Sequence, residues 1–330
     1  MDFDYVICGA GAAGCVLAYR LSENPAIRVA LIEAGPRDRH PFIAMPKGLA
    51  KVMQDPKHLW VHMSEPEAST AGQSEAWVRG RVLGGSSSVN GMMYVRGQPA
   101  DFDAIAEKSS DDWSWTYIGA AYRALENHEL GGAATRGDAG PMKISMPTQR
   151  LPISDAQVAA GEAMGWINKP DVNAPDDQVA IGYAPRTIFK GKRQSAAQAF
   201  LRPAEKRPNL TVLTDRTVDR VIFDGPRAVG VEVVRNGARE TIDAAHEVIV
   251  CGGAMASPAI PAPTIAISTC SSLIVVSFYC LVLWTGYATL LVPKSYSFAA
   301  LSDKIFLMMT GSLVHRGKRF SSSTSSGIEA

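Results

Sequence analysis

The order strand, glycine turn, helix, strand, acid within the first 33 residues constrains this chain more than any other feature. Tyr5-Val6-Ile7-Cys8 is a short β-prone apolar run suited to a strand buried on both faces. It runs into Gly9-Ala10-Gly11-Ala12-Ala13-Gly14, after which residues 15–21 read as a helix closed by Ser22-Glu23-Asn24-Pro25. A second strand, Val29-Ala30-Leu31-Ile32, ends at Glu33, nineteen residues beyond Gly14. In such a turn Gly9 permits the tight bend, Gly11 lets backbone approach a pyrophosphate, and Gly14 lets helix and strand pack closely. The helix N-terminus offers free N–H groups and a positive dipole end to the phosphates, and Glu33 is placed to accept both hydroxyls of an adenosine ribose. The expectation is a dinucleotide site. A glutamate here disfavours a 2′-phosphate, which leaves FAD or NAD. Cys8 and Cys15, flanking the turn, read as small buried fillers.

The near balance of 33 basic and 32 acidic residues over 330 argues against a nucleic-acid partner. Five cysteines make no disulfide framework and fit a reducing compartment, and the N-terminus shows no secretory pattern, so a cytoplasmic location is expected. Charge is unevenly spread. Residues 251–330 hold only five basic and two acidic side chains, and none lies between Glu247 and Lys294. Residues 273–292 are nearly all apolar and long enough to cross a bilayer. The positive-inside rule then keeps the C-terminus cytoplasmic and sends a domain without a signal across the membrane. Two readings of 259–330 stand: a membrane-spanning segment, or sequence unrelated to the domain before it. A disordered Ser-rich end goes with either.

A second motif lies at residues 80–97: Gly80-Arg81-Val82-Leu83-Gly84-Gly85-Ser86-Ser87-Ser88-Val89-Asn90-Gly91-Met92-Met93-Tyr94-Val95-Arg96-Gly97. Gly84 and Gly85 remove side chains where a flat ring can lie on backbone, and the three serines are expected to cap a following helix. This stretch resembles the signature of the glucose–methanol–choline family of FAD-dependent oxidoreductases. Segments around Trp60, Asp101-Phe102-Asp103, Trp113-Ser114-Trp115, Arg193-Gln194-Ser195 and residues 228–232 follow in family order, so the likeness covers about residues 1–258. The resemblance implies an α/β fold, a Rossmann-type FAD-binding domain with a parallel sheet and a partial cap or substrate region. Residues 46–77 and 146–204 would supply the cap. It also implies that Gly9, Gly11, Gly14 and Glu33 hold the ADP half of FAD. Val82, Gly84, Gly85, Asn90, Gly91, Met92 and Met93 would line the pyrophosphate and flavin, and the Val218 backbone would meet the adenine. Core packing is the alternative reading for Val82 and Val218. Some members tether the flavin through a histidine that is Val89 here, which implies a non-covalent cofactor.

The family's second signature begins at Gly253-Ala254-Met255-Ala256-Ser257-Pro258, but Pro261-Ala262-Pro263 then breaks the helix expected there. The family's catalytic pair, a histidine with a second histidine or asparagine, falls beyond this point. None of His40, His58, His62, His128, His246 and His315 stands in that context, so no catalytic residue is assigned. His58 and His62, four apart, read as a surface pair and not a metal site. The reaction implied is oxidation of a CH–OH donor, an alcohol or choline-like substrate, with electrons leaving to an external acceptor. The alternatives are a truncated flavin-binding remnant without catalysis and, from the first motif alone, an NAD-binding module.

Overall fold

The computed structural model describes residues 3–260 and 273–275. Along the chain the main elements are β1 (Phe3–Cys8), α1 (Ala12–Leu21), β2 (Val29–Ile32), β3 (Leu59–Met63), β4 (Ala76–Gly80), β5 (Leu210–Leu213), β6 (Thr217–Asp224), β7 (Arg227–Arg235), β8 (Ala238–Val250) and β9 (Leu273–Val275). One sheet runs in the order β5-β2-β1-β8-β7-β6, and β9 also pairs with β8. Strands β5, β2, β1, β9 and the second half of β8 are parallel. The first half of β8 instead pairs antiparallel with β7, and β7 with β6. The 13-residue β8 thus begins in a meander and ends in the parallel sheet.

Period-two alternation sorts the sheet's side chains between two cores. Ile7, Leu31 and Ile249 face one way, onto Cys15, Leu17, Ala18 and Leu21 of α1 and onto Phe200 and Leu201. Val6, Cys8, Ala30, Ile32, Val248 and Val250 face the other way, onto Val221, Val231 and Val233 of the meander. With both faces covered, the central stretches Val6–Cys8, Val29–Ile32 and Val248–Val250 carry no polar side, as their apolar sequences required. Each aliphatic side chain so buried contributes roughly 1.5–3 kcal/mol. Ser22 ends α1, its hydroxyl donating to the Ala18 carbonyl at 2.6 Å. Cys8 and Cys15 are buried thiols, and burial pushes Cys8 up to about 12.

The structure departs from the sequence reading in four places. Residues 86–88 do not open a long helix. Gly85–Ser88 is a single 3-10 turn whose hydroxyls bond back to Gly80, Gly84 and Leu83. His58 and His62 are not a surface pair on a helix. His58 is buried just before β3, with Nδ1 2.7 Å from Asp55 Oδ2 and its ring 5.3 Å from that of His40. Residues 196–204, grouped with the cap from sequence, pack into the α1 side of the sheet through Ala197, Phe200, Leu201 and Ala204. Finally, Leu273–Val275, the start of the apolar run, is a parallel strand beside Val248, Ile249 and Val250. The rest of 273–292 lies outside the described residues. Among the described residues no helix is long and apolar enough to cross a membrane.

Candidate cofactor site

The carboxyl ends of β1, β2 and the parallel half of β8 meet at the glycine turn, the place where open α/β sheets bind ligands. Gly9 has φ +110°, and a Cβ there would lie 2.5 Å from the Cys251 carbonyl oxygen at the end of β8. A Cβ on Gly14 would overlap the Gly9 carbonyl, so α1 packs on β1 only because that side chain is absent. Gly11 differs from both: a Cβ there meets nothing within 4 Å. The protein leaves that space open. Gly11 is also the N-cap of α1 and supplies no side-chain cap, and no acidic residue stands in the first turn. The first N–H groups of α1 therefore face outward without a side-chain partner, as an anion site requires.

Glu33, 6% exposed, closes the other side of the turn. Ala10 N–H donates to its Oε2 at 3.0 Å and Gly35 N–H to its Oε1 at 2.9 Å. Burial pushes its carboxyl up to about 7, partly offset by those two amides and by the charge of Arg81. The amides of Asp215 and Arg216 bond the carbonyls of Gly35 and Glu33, which brings the start of β6 alongside. Val218 therefore sits near Glu33. Its side chain packs against the meander core, and a β-bulge follows it before Arg220.

The second motif docks directly on the first. Gly84 N–H donates to the Ala10 carbonyl at 2.7 Å, and a Cβ on Gly85 would stand 2.8 Å from the Gly11 Cα. Val82 does not reach the turn with its side chain, which fills an apolar cluster with Ile43, Val52, Leu59 and Val89. Farther along, Asn90 Oδ1 accepts from Met92 N–H at 3.0 Å, and Met92, buried, holds φ +60°. A bulky side chain in that left-handed region costs on the order of 1–2 kcal/mol, an outlier of the kind that marks binding loops. The Met92 carbonyl accepts from Thr187 N–H at 2.9 Å, and Met93 bridges Arg186. Gly91 is exposed with open space about it.

Gly9, Gly11, Gly14, Glu33, Gly84 and Gly85 thus form one cluster with Val218 at its edge. Asn90, Gly91, Met92 and Met93 extend from it on a separate loop. That loop depends on a residue the motif reading did not single out. Arg193, 2% exposed, donates from Nη1 to the Asn90 carbonyl and to Asn90 Oδ1, both at 2.7 Å, and to the Ser87 carbonyl at 3.3 Å. Its Nε donates to the Ile43 carbonyl at 2.9 Å. The neighbouring Ala196 N–H donates to Ser87 Oγ at 2.9 Å. The signal available in the sequence was the Arg193-Gln194-Ser195 segment, where the last of three closely spaced cations, after Lys190 and Lys192, meets the small residues 195–197. A second structural brace lies beside the loop: the Tyr94 hydroxyl donates to Glu126 Oε1 at 2.6 Å, and Glu126 also takes a bond from Arg96.

The histidines in the described region are committed elsewhere or lie away from this cluster. His40 Nδ1 accepts from Phe42 N–H, His58 binds Asp55, and His128, held low by burial, accepts from Leu130 N–H. His62 lies in β3 opposite Trp77, and His246 packs on Tyr5. Among the described residues no group of three or more His, Cys, Asp or Glu is placed to hold a metal.

A sheet with this order, a glycine turn at its carboxyl edge and a second glycine motif seated on that turn match one family over residues 3–261. The chain belongs to the GMC oxidoreductases. It is 40% identical over 264 residues to the mitochondrial choline dehydrogenase of Homo sapiens, covering 78% of this chain and 44% of that protein. The oxygen-dependent choline dehydrogenase of Rhizobium johnstonii is likewise 40% identical over 258 residues, 78% of this chain and 47% of its own length. Among solved structures, pyridoxine 4-oxidase from Mesorbium loti superposes with a TM-score of 0.74 at 36% identity, over 78% of this chain and 50% of that one. An FAD-dependent oxidoreductase from Chaetomium thermophilum gives 0.72 at 26% identity, over 78% and 46%. This GMC chain spans about half the length of the curated relatives it matches.

Proposed function

We propose that residues 1–258 form a non-covalent FAD site and act as the flavin-holding part of an oxidoreductase for CH–OH donors, an alcohol or choline-like substrate. The observation that carries this is the docking of the second glycine motif on the first, at the uncapped N-terminus of α1 and beside the space left open at Gly11. An NAD module has no use for that second motif. The amides of α1 receive the pyrophosphate, and the buried Glu33 accepts ribose hydroxyls with the lone pairs its two amide bonds leave free. Residues 90–93 and the backbone at Val82 and Val218 complete the cradle. Val89 lies in an apolar cluster and has no side-chain nitrogen to bond a flavin. Bound FAD supplies a hydride acceptor whose electrons pass to an external acceptor. Residues 46–77 and much of 146–204 cover the site as a cap.

A second reading, flavin binding without turnover, rests on the histidines. The ring nitrogens of His40, His58 and His128 bond Phe42, Asp55 and Leu130, outside the two glycine motifs, although Arg81 N–H donates to the His58 carbonyl at 2.8 Å, and oxidising an alcohol needs a group that takes the hydroxyl proton. The test is a visible spectrum of the full chain after FAD incubation and desalting, followed by an alcohol and choline panel with an artificial electron acceptor. Retained flavin with dye reduction supports the enzyme reading, and retained flavin without it supports the second. A colourless protein overturns both.

A further inference from the structure

Among the described residues the other buried Arg and Lys side chains are paired with a carboxylate. Arg96 bonds Glu126, Lys169 bonds Asp176, and Asp38 bonds Arg202. Arg193 is different. It is 2% exposed, and its four hydrogen bonds go to three backbone carbonyls and one side-chain amide oxygen. Its Nη2 is buried and finds no partner among the described residues. No carboxylate stands against it, and burial alone pulls the guanidinium down to about 10. An uncompensated cation in a low-dielectric interior is costly, and breaking up such groups in favour of apolar ones is often neutral or stabilising. A fold that needed only to hold the Asn90 loop had neutral donors available for carbonyl oxygens. What arginine adds is charge, fixed at the segment that joins the two glycine motifs to the Asn90 loop.

We propose that Arg193 is the fixed cation of the cofactor site: its fork holds Ser87 and Asn90, and its charge is balanced by the negatively charged dinucleotide. This rests on the FAD reading above. In the apo protein the charge is carried by oriented carbonyl dipoles alone. With the dinucleotide in place a net countercharge enters the same dry region, where charge interactions are screened least. Arg193 is thus a positioning residue that also contributes affinity through its charge.

The test compares the full chain with Arg193→Lys and Arg193→Gln, using FAD titration by quenching of flavin fluorescence, with circular dichroism and thermal unfolding of each apo protein. Lysine keeps the charge without the planar fork, and glutamine keeps a donor without the charge. The expected result is an FAD dissociation constant raised about tenfold to a hundredfold in R193Q. R193K should stay within about threefold of the parent, because the charge survives. Equal weakening in R193K and R193Q overturns the proposal and leaves Arg193 a purely geometric clamp. Unchanged FAD affinity in R193Q also overturns it. If R193Q does not fold, R193K alone decides, since loss beyond about tenfold in a folded lysine variant contradicts a charge role. A parent chain that takes up no FAD sinks the cofactor reading as well, whereas a parent that binds beside an R193Q of equal affinity sinks this inference alone.

Discussion

The two glycine motifs are held by different means. The first, from Gly9 to Gly14, lies between its immediate neighbours in sequence, β1 before it and α1 after it, whose packing demands Gly14, with Gly9 also pressed by Cys251 at the end of β8. The second, from Gly80 to Met93, contains no helix longer than one 3-10 turn. Its shape comes from Ala10 and Gly11 on one side and from Arg193, Ala196 and Ala197 on the other, about a hundred residues away. A turn between regular elements is a local solution, while an irregular loop that must satisfy its own carbonyls needs partners from elsewhere. The proposed cofactor site is the junction of the two.

This contrast is sharpest at Gly14. Replacing it with valine forces a side chain into the Gly9 carbonyl. The expected loss is about 3–5 kcal/mol, read by denaturant unfolding, with FAD uptake abolished. A Gly14→Val protein of parental stability would show that α1 and β1 need not touch.

Glu33 gives the next effect. Its carboxyl is raised to about 7 in the fold from 4.5 unfolded. The folded protein therefore binds more protons than the unfolded chain between those values, and stability falls as pH rises from about 4.5 to 7. At about 1.4 kcal/mol per pH unit for a fully buried group, this amounts to roughly 3 kcal/mol. Glu33→Gln should flatten that part of the stability–pH curve, measured by urea midpoints at several pH values. A slope that survives the substitution places its origin elsewhere.

Gly85→Ala probes the junction itself. Its Cβ would press on the Gly11 Cα, at a residue whose φ is +54°. We expect about 1–3 kcal/mol of destabilisation and a larger proportional loss of FAD affinity, because the damage falls where the motifs meet. Fluorescence titration beside thermal unfolding separates the two quantities.

Gly11→Ala should change stability least, by a few tenths to about 1 kcal/mol, since the added methyl meets no protein atom and the cap has no side chain to lose. FAD affinity should nevertheless fall at least about tenfold if that open space is where the pyrophosphate lies. Parental affinity in this variant would move the phosphates away from Gly11.

The βαβ unit was legible because its information is local and periodic. Residues 3–33 place apolar runs, glycines and an acid at spacings that one supersecondary unit explains, and β1, α1 and β2 fall where the pattern put them. The second motif was legible as a resemblance but not as a shape, since three serines suggest a helix cap when their hydroxyls in fact turn back onto Gly80, Leu83 and Gly84. His58 looked like one of a surface pair because spacing alone does not reveal that Asp55 and His40 enclose it.

Sequence by itself determined the dinucleotide turn, the parallel α/β class and the membership of residues 3–261 in the GMC oxidoreductases, because steric demands on glycine and on doubly buried strands leave few other solutions. Tertiary structure decided which glycine stays open, how Glu33 is buried against Ala10 and Gly35, and that Arg193 anchors Asn90 without a carboxylate beside it. Those outcomes depend on contacts between residues far apart in the chain. Burial and hydrogen-bond satisfaction are settled only when the distant segments meet.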